Sequence, residues 1–232
     1  CPSELTQIER NAMRDLGLEM GIPDVFIEEE IKAGAIGSGI DIFAPKATLI
    51  VDIGGGTTDV GVLSLGDVVV SQSIKVAGNY IDNTIIRYAH RKYNLIIGER
   101  MAENAKIAIA TLEDHDEPRY YRLAGRDLVT GLPASAEISS TELRELLLPI
   151  FDEIVALIYS VLAKTPPELA ADIVTNGIII EGGGALIPGV REFFEEMVRV
   201  PVTISPNPLT SVVEGSKTLL KNRGSYLINP LE

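Results

Sequence analysis

The hydrophobic positions along the chain are either spaced at helical intervals or gathered in short runs, and the two patterns predict different elements. Apolar residues at helical spacing predict amphipathic helices over residues 3–21 and 140–163. An almost fully apolar run over residues 47–53 predicts a strand that is buried on both faces. The next run, residues 58–77, is divided by a turn at Gly66, so it predicts two further strands that continue an antiparallel meander.

Helical and extended patterns alternate along the rest of the chain. Helices are predicted over residues 29–40, 79–94, 98–112, 165–177 and 208–222. Short strands are predicted over residues 23–29, within 119–139 and over 200–205, and a strand, a glycine turn and a helix follow one another over residues 177–197. Strands that first form a meander and then alternate with helices indicate an α/β domain with a mixed sheet.

The charge balance argues against one class of function. The chain has 232 residues and a formal net charge of −13 at pH 7. A protein that grips the phosphate backbone of nucleic acid needs a basic face, so no nucleic-acid partner is expected. A nucleotide bound as its Mg²⁺ complex is compatible with this acidity, because the metal supplies the positive charge.

Three further features concern the cellular setting. The single cysteine, Cys1, excludes an internal disulfide and fits a reducing compartment. No run of 18 consecutive apolar residues occurs and no signal peptide is visible, so no membrane-spanning helix is predicted. Because the chain opens without Met, inside sequence that already looks structured, we expect a fragment of a longer gene product.

Two triple-glycine turns, each after an apolar strand, carry the strongest chemical signal. The first comprises Gly54, Gly55 and Gly56, and the second comprises Gly182, Gly183 and Gly184. Without a Cβ, the backbone approaches a ligand closely and its N–H groups can reach phosphate oxygens. Asp52, at the end of the first strand, suits Mg²⁺ held through water. The hydroxyls of Thr57 and Thr58 are expected beside the phosphates.

Neither turn matches a common phosphate-binding fingerprint, since GxxxxGK[ST] is absent and GGGTT does not open a helix. Residues 54–56 join two predicted antiparallel strands, which favours a phosphate-binding β-hairpin. The alternative is a tight hairpin in which these glycines only turn the chain and Asp52 caps it.

Five stretches of the sequence resemble one protein family, in the same order and at similar separations. They are VDIGGGTTDVGVLSLG, YNLIIGERMAENAK, GRDLVTGLP, TPPELAADI and EGGGALIPG. Together they resemble the actin-like ATPase superfamily and, within it, the MreB family of bacterial cell-shape proteins. GRDLVTGLP and TPPELAADI are the more specific stretches, because generic nucleotide binding needs neither.

The resemblance implies an actin-like ATPase fold. In this fold each of two lobes is built on a ribonuclease-H-like mixed sheet with flanking helices, and the nucleotide lies between the lobes. Residues 1–44 are then expected to be the end of the first lobe, including its connecting helix. Residues 45–98 and 140–232 are expected to form the large subdomain of the second lobe, and residues 99–139 its small inserted subdomain. The family's first phosphate hairpin has no counterpart in the chain.

The resemblance also assigns roles around the first glycine turn. Asp52 is expected to hold Mg²⁺ and Asp59 to assist the metal's water shell, although a solvated strand residue is an equally good interpretation of Asp59. Thr57 matches a threonine near the attacking water. Glu30 matches the carboxylate that orients this water, with Glu29 as the alternative, and a run of glutamates is also typical of a solvated helix start.

A second group of residues is expected on the adenosine side of the nucleotide. Glu103 and Lys106 match the family's ribose and adenine contacts, whereas their i, i+3 spacing alone favours a surface ion pair on a helix. Residues 182–184 match the adenosine-side turn, and Glu181 stands where the family has a threonine.

The function implied by the resemblance is that of an ATP-binding cytoskeletal protein. Such a protein forms filaments, helps to set rod cell shape and hydrolyses ATP slowly with Mg²⁺, in the cytoplasm near the inner face of the membrane. Self-association is the expected partnership, and membrane-associated shape machinery is expected to bind through parts outside this chain. We expect slow hydrolysis in a longer parent protein and little or none in this chain alone.

Three alternatives stay open. They are a non-hydrolysing structural filament subunit, a small-molecule kinase and a chaperone-type ATPase lobe of the same superfamily. Residues 99–139 are too few for the inserts that sugar kinases use to hold a substrate, which favours the filament protein.

Overall fold

A computed structural model describes residues 1–2 and 5–222 of the chain. The helices in these ranges are α1 (Gln7–Glu19), α2 (Glu30–Gly37), α3 (Gly78–Tyr93), α4 (Glu99–Ile109), α5 (Ser140–Lys164), α6 (Pro167–Asn176), α7 (Val190–Val198) and α8 (Ser211–Lys221). The strands are β1 (Thr48–Ile53), β2 (Thr58–Ser64), β3 (Asp67–Ile74), β4 (Leu95–Ile96), β5 (Tyr120–Asp127), β6 (Pro133–Ser139), β7 (Ile178–Glu181) and β8 (Val202–Ile204). A 3-10 turn spans Gly183–Leu186. Ser3 and Glu4, at the predicted start of the first helix, and residues 223–232 of the predicted large subdomain lie outside the described residues.

The larger sheet has five strands in the order β3-β2-β1-β7-β8. β1, β2 and β3 pair antiparallel, which confirms the predicted meander, whereas β1 pairs in parallel with β7 and β7 with β8. The turn between β2 and β3 contains Leu65 and Gly66, whose φ angles of 52° and 90° lie in the left-handed region that tight hairpins use. The sheet is therefore mixed, as the element order predicts.

A smaller antiparallel sheet has the strand order β4-β5-β6. β5 and β6 lie within the predicted small subdomain, residues 99–139, while the two-residue strand β4 precedes it. Leu123 of β5 and Ile138 of β6 are fully buried in the same apolar cluster as Val51 of β1. One continuous core joins the two sheets, and the subdomain boundaries stay predictions.

Helix α5, with 25 residues, packs against β2 and β3. Its buried apolar residues are Leu143, Leu147, Ile150, Phe151, Ile154, Val155, Leu157, Ile158 and Val161. By length and composition α5 is apolar enough to cross a bilayer, but this face lies in the core of the protein.

Helices α2 and α8 approach each other through small residues. A Cβ added to Gly215 would lie 1.7 Å from the backbone oxygen of Ala33, and one added to Gly37 would lie 1.8 Å from that of Ser211. Only glycine fits at such distances. The small residues of α2 and α8 therefore serve close packing of two helix backbones.

Helix α2 lies over one particular face of the larger sheet. Ile31 of α2 is fully buried in a cluster with Ile50 of β1. Asp52, two residues further along β1, points to the same face as Ile50, because side chains alternate along a strand. The N-terminal part of α2 is thus placed on the side of the sheet that carries the predicted metal-binding aspartate.

Two predictions near the N-terminus differ from the structure. Residues 23–29 form no strand, because an extended segment needs a neighbour for its backbone groups and none of the described strands pairs with it. Helix α1 begins after Thr6, later than the predicted start at residue 3, and Thr6 forms a capping box with Glu9. Its apolar positions are not buried within the described part of the chain, as Ile8 is 80% and Leu16 59% exposed.

Candidate functional site

Three carboxylates form a row across the larger sheet. Asp52, near the end of β1, lies opposite Asp59 of β2 and opposite Glu181 of β7 in the strand register. The three residues are buried, with exposed fractions of 7%, 1% and 0%. Residues directly opposite on neighbouring strands have side chains on the same face, where like charges repel. We call these residues the carboxylate row, and the burial of Asp59 excludes its interpretation as a solvated strand residue.

Burial and mutual repulsion disfavour the charged forms in the carboxylate row. Burial, followed by the charges of Glu30 and Asp59, raises the pKa of Asp52 to about 7. Burial, followed by the charge of Asp52, raises the pKa of Glu181 to about 8, while hydrogen bonds from serine hydroxyls oppose this shift. A cation near Asp52 would relieve the repulsion between these groups.

The carboxylate row fits the predicted Mg²⁺ site. Glu181 is turned towards α2: a Cβ added to Gly34 would lie 1.7 Å from its Oε1, and the Ser38 hydroxyl donates to its Oε2 at 3.1 Å. Glu181 thus faces α2, and the metal-binding roles of Asp52 and Asp59 stay predictions. No group of three or more potential metal ligands occurs in the described residues.

The three glutamates at the start of α2 have different surroundings. Glu28 pairs with Lys32 at 3.2 Å, and Glu29 pairs with an arginine of α1 at 3.4 Å. Glu30, the first residue of α2, instead lies close enough to Asp52 for its charge to raise the pKa of that aspartate. Of the three glutamates, only Glu30 contributes to the raised pKa of Asp52, and the choice between Glu30 and Glu29 stays a prediction.

Residues 54–56 join β1 to β2, and we call them the glycine hairpin. Their φ angles lie outside the left-handed region, so the turn itself does not require glycine. A Cβ added to Gly56 would have nothing within 4 Å, and one added to Gly55 would meet only Asn79 Oδ1 at 3.9 Å. The backbone N–H groups of Gly55 and Gly56 have no hydrogen-bond partner among the described residues. Turning the chain therefore does not explain these glycines, whereas close approach of an anion does.

The first turn of α3 fixes the glycine hairpin in place. The N–H groups of Gly78 and Asn79 donate to the backbone oxygens of Gly54, at 3.0 Å, and Gly55, at 2.8 Å. Two carbonyl groups of the hairpin are thus held by α3, while two of its N–H groups stay free. This arrangement keeps the free donors in a defined position before any ligand binds.

The two threonines after the glycine hairpin differ. The Thr58 hydroxyl is fully buried and donates to the backbone oxygen of Val76 at 2.6 Å. This placement contradicts the predicted phosphate contact of the Thr58 side chain, because the buried hydroxyl is already bonded to the loop between β3 and α3. Thr57 is half-buried at the hairpin itself, and its role near the attacking water stays a prediction.

The two predicted adenosine-side residues of α4 differ in their surroundings: Lys106 is held by an ion pair, and Glu103 is exposed. Lys106 Nζ lies 2.9 Å from Asp82 Oδ2 and donates to the Gly78 backbone oxygen at 3.3 Å. Glu103, one turn earlier on α4, is exposed and forms no ion pair with Lys106 in the part of the chain that the structure describes. The surface pair favoured by the i, i+3 spacing is therefore wrong, since Lys106 reaches across to α3 beside the glycine hairpin.

The second glycine turn, residues 182–184, meets the end of β1. Gly182 has a φ of 81°, and an added Cβ would lie 2.4 Å from both Asp52 Oδ1 and the Ile53 backbone oxygen. A Cβ added to Gly184 would lie 2.2 Å from Ile53 Cγ2, whereas one added to the exposed Gly183 would meet nothing closer than 3.5 Å. Internal packing explains Gly182 and Gly184. The structure brings both glycine turns to the same end of the sheet, within the reach of one nucleotide, and leaves their nucleotide contacts as predictions.

Two residues of the site escaped prediction from the sequence. Glu181 lies at the carboxyl end of an apolar strand, as Asp52 does, and this shared position could have identified it as a member of the carboxylate row. Asp82 carries no comparable signal, because 24 residues separate it from Lys106.

Comparison with known proteins gives consistent similarities. The family model described as MreB/Mbl protein matches residues 1–227. The cell shape-determining protein Mbl of Bacillus cereus is 44% identical over 222 residues, which make up 96% of this chain and 67% of that protein. The crystal structure of MreB5 of Spiroplasma citri bound to AMPPNP has a TM-score of 0.93 and 46% identity, over 97% of this chain and 67% of that chain. The MamK double helical filament, with 21% identity and a TM-score of 0.79 over 95% of this chain and 67% of that one, shares the fold.

Proposed function

The chain belongs to the MreB/Mbl family, and from this premise we propose that it is an actin-like cytoskeletal protein that binds ATP with Mg²⁺. In the proposal, the longer parent protein hydrolyses the ATP slowly and assembles with copies of itself to help set cell shape. The chain spans about two thirds of the length of its Mbl relative, so the activity of the whole protein is part of the proposal. The observation that carries nucleotide binding is the glycine hairpin, with two free N–H groups, open space and a buried carboxylate row beside it.

In the proposal, different residues of the site contact the phosphates and the metal of Mg·ATP. Gly55 and Gly56 donate their free N–H groups to oxygens of the β- and γ-phosphates. Asp52 and Asp59 would hold Mg²⁺ through its water shell, and the metal would offset negative charge on the phosphates. Burial, followed by the charges of Glu30 and Asp59, raises the pKa of Asp52 to about 7, so a nearby cation would favour its charged form.

Hydrolysis needs a group that orients water and accepts its proton. Glu30 has this role in the proposal, with Thr57 beside the same water. Its support is that Glu28 and Glu29 form ion pairs, whereas Glu30 is the glutamate whose charge contributes to the raised pKa of Asp52. The cation of Lys32, next to this site in sequence, is paired with Glu28 and so does not neutralise Glu30.

Assembly and location are the parts of the proposal that rest on family membership. The curated relatives are named for determining cell shape, which supports a cytoskeletal role with self-association. A cytoplasmic location near the inner membrane face is part of the same proposal. Contacts with membrane-associated shape machinery belong to the proposal for the whole protein.

Nucleotide binding is tested by titrating the chain with fluorescent ATP in the presence of Mg²⁺. Gly56→Ala is expected to weaken binding at least about tenfold, since its methyl group fills the space of a phosphate and each charge-assisted hydrogen bond contributes about 1.5–3 kcal/mol. The matched control is Gly98→Ala, another glycine with ordinary backbone angles and nothing within 4 Å of an added Cβ. Equal affinities for the wild type and Gly56→Ala would contradict the proposed phosphate site.

Hydrolysis is tested by phosphate release from the longer parent protein and from its Glu30→Gln and Glu29→Gln variants at saturating Mg·ATP. Glu30→Gln is expected to lose about a hundredfold or more of the rate while it still binds nucleotide, because a positioned general base contributes on that order. Glu29→Gln should retain the rate of the wild type. Intact binding without measurable hydrolysis in the wild-type parent protein would instead favour a non-hydrolysing structural subunit.

A further inference from the structure

An ion pair joins α3 and α4 close to the glycine hairpin. Lys106 Nζ, near the end of α4, lies 2.9 Å from Asp82 Oδ2 in the second turn of α3. The two side chains are only 16% and 12% exposed, so dissolved ions screen the pair weakly. Asp82 Oδ1 is buried and has no hydrogen-bond partner within the described residues.

The same ammonium group lies beside the glycine hairpin. Lys106 Nζ donates to the Gly78 backbone oxygen at 3.3 Å, and Gly78 N donates to the Gly54 oxygen at 3.0 Å. A Cβ position at Gly78 would lie 3.5 Å from Lys106 Nζ and 3.5 Å from Gly55 Cα. A ligand bound against the free N–H groups of the hairpin would therefore lie within reach of this cation.

Stability alone does not account for this arrangement. A buried ion pair gains little net free energy after both groups have lost their water, and the unpartnered Asp82 Oδ1 adds a further cost. A surface pair between Glu103 and Lys106 would avoid both costs, yet the fold turns Lys106 towards the hairpin.

We propose that Asp82 is a positioning residue that holds the Lys106 ammonium beside the glycine hairpin, so that this cation is in place before the nucleotide binds. The inference rests on the proposed function, because the ligand is the Mg·ATP of that proposal. A lysine side chain has several rotatable bonds and loses their freedom when a ligand fixes it. Asp82, together with the Gly78 carbonyl, has already restricted that freedom, so nucleotide binding costs less entropy.

The test is a double-mutant cycle on Mg·ATP affinity, measured with the full chain by fluorescence titration. Asp82→Asn is expected to weaken affinity about tenfold. In the Lys106→Met background, the same substitution is expected to change affinity by less than about twofold, because its effect passes through the ammonium. Asp82→Glu keeps the charge and should restore part of the affinity.

Two further variants separate positioning from folding. Glu142→Gln removes a different ion pair of α3, the one with Lys92, and should leave the affinity unchanged. Melting temperatures without nucleotide show whether each variant is folded at the assay temperature. If Asp82→Asn is not folded there, Asp82→Ser takes its place in the cycle with the same expected result.

Three results would overturn the inference. Affinity could stay unchanged in Asp82→Asn, or the loss could persist in the Lys106→Met background. Affinity could also rise, which would mean that Asp82 competes with the phosphates for Lys106. A wild-type chain that does not bind Mg·ATP would overturn the proposed function together with this inference, whereas normal wild-type binding with an unaffected Asp82→Asn would overturn the inference alone.

Discussion

At the scale of single residues, the glycines divide into those that the protein's own packing requires and those that it does not. Gly34 and Gly182 face atoms closer than 2.5 Å to the position of an added Cβ, so a side chain there would clash with the protein itself. Gly55 and Gly56 face open space and have ordinary φ angles. Only the second kind points to a ligand, although all four occur in small-residue or glycine-rich stretches of the sequence.

Gly182→Ala is expected to destabilise the protein by about 2–4 kcal/mol, from the left-handed φ of 81° and from overlap with the Ile53 backbone oxygen. The control is Gly183→Ala, next to it, where an added Cβ would be 3.5 Å from the nearest atom. Urea unfolding midpoints measure the difference. Similar midpoints for the two variants would show that the second glycine turn can accommodate a side chain at residue 182 without the expected loss of stability.

Glu181→Gln is expected to change how stability depends on pH. The pKa of Glu181 is raised from its usual 4.5 to about 8 in the folded protein. Between these pH values the folded state binds more protons than the unfolded state, so the unfolding free energy falls as the pH rises. Gln carries no charge at any of these pH values, so the unfolding free energy of the Glu181→Gln variant does not fall in this way.

The Glu181→Gln variant should therefore melt near the wild-type temperature at about pH 5 and several degrees above it at about pH 8.5, as each unit of pKa shift corresponds to about 1.4 kcal/mol. Melting is followed by circular dichroism without nucleotide or metal. Glu196→Gln, at an exposed position on α7, is the control and should show no such pH dependence. A constant difference between Glu181→Gln and the wild type would mean that Glu181 is already charged in the folded protein.

At the scale of elements, one carboxylate joins the beginning of α5 to the end of α3. Glu142 Oε2 accepts from the backbone N–H of Ser139 at 2.8 Å and completes the capping box of α5. Its Oε1 accepts from the hydroxyls of Tyr88, at 2.8 Å, and Tyr93, at 2.6 Å, and it pairs with Lys92. Burial alone would raise the pKa of Glu142, but the hydrogen bonds outweigh it and hold that pKa well below its usual value.

Glu142→Gln is expected to lower the unfolding free energy at pH 7 by about 2–3 kcal/mol, through the loss of hydrogen bonds to a charged group. The folded-state pKa is depressed, so this contribution is present above the unfolded value and is lost as the pH falls. The deficit of the variant should therefore shrink in acid. Glu145→Gln, exposed on the same helix, is the control. A deficit that persists unchanged in acid would assign the effect to packing and not to charge.

At the scale of the whole molecule, the excess of acidic groups opposes assembly of like copies. With 33 acidic and 20 basic residues, two copies of this chain repel each other at low ionic strength. Salt shortens the range of this repulsion, because the Debye length falls from about 30 Å at 0.01 M to about 8 Å at 0.15 M.

Assembly in Mg·ATP is therefore expected to increase between about 0.01 and 0.15 M KCl at constant Mg²⁺. Sedimentation and light scattering measure the assembled fraction. Sucrose at matched osmolality is the control for effects other than screening. A fall in assembly over this range would show that complementary charges across the interface outweigh the net repulsion.

Local order in the chain was determined by the sequence itself. Hydrophobic spacing placed the meander, the long helix α5 and the strand-turn-helix unit of β7 and α7 within a few residues of their observed bounds. These elements are readable because residues close in sequence specify the period of a helix or strand. The two glycine turns and the family resemblance could be read for the same reason, since each rests on contiguous residues.

Relations between distant residues were decided by the tertiary structure. The register of β2, β1 and β7 set Asp59, Asp52 and Glu181 side by side, and a shift of one residue would have turned each strand's side chains to the other face. The same packing directed Lys106 to Asp82, although nothing in the sequence pattern links the two. Residues 23–29 formed no strand, because none of the described strands lies beside them to pair with their backbone. The sequence pattern of a segment cannot show whether the fold provides such a neighbour.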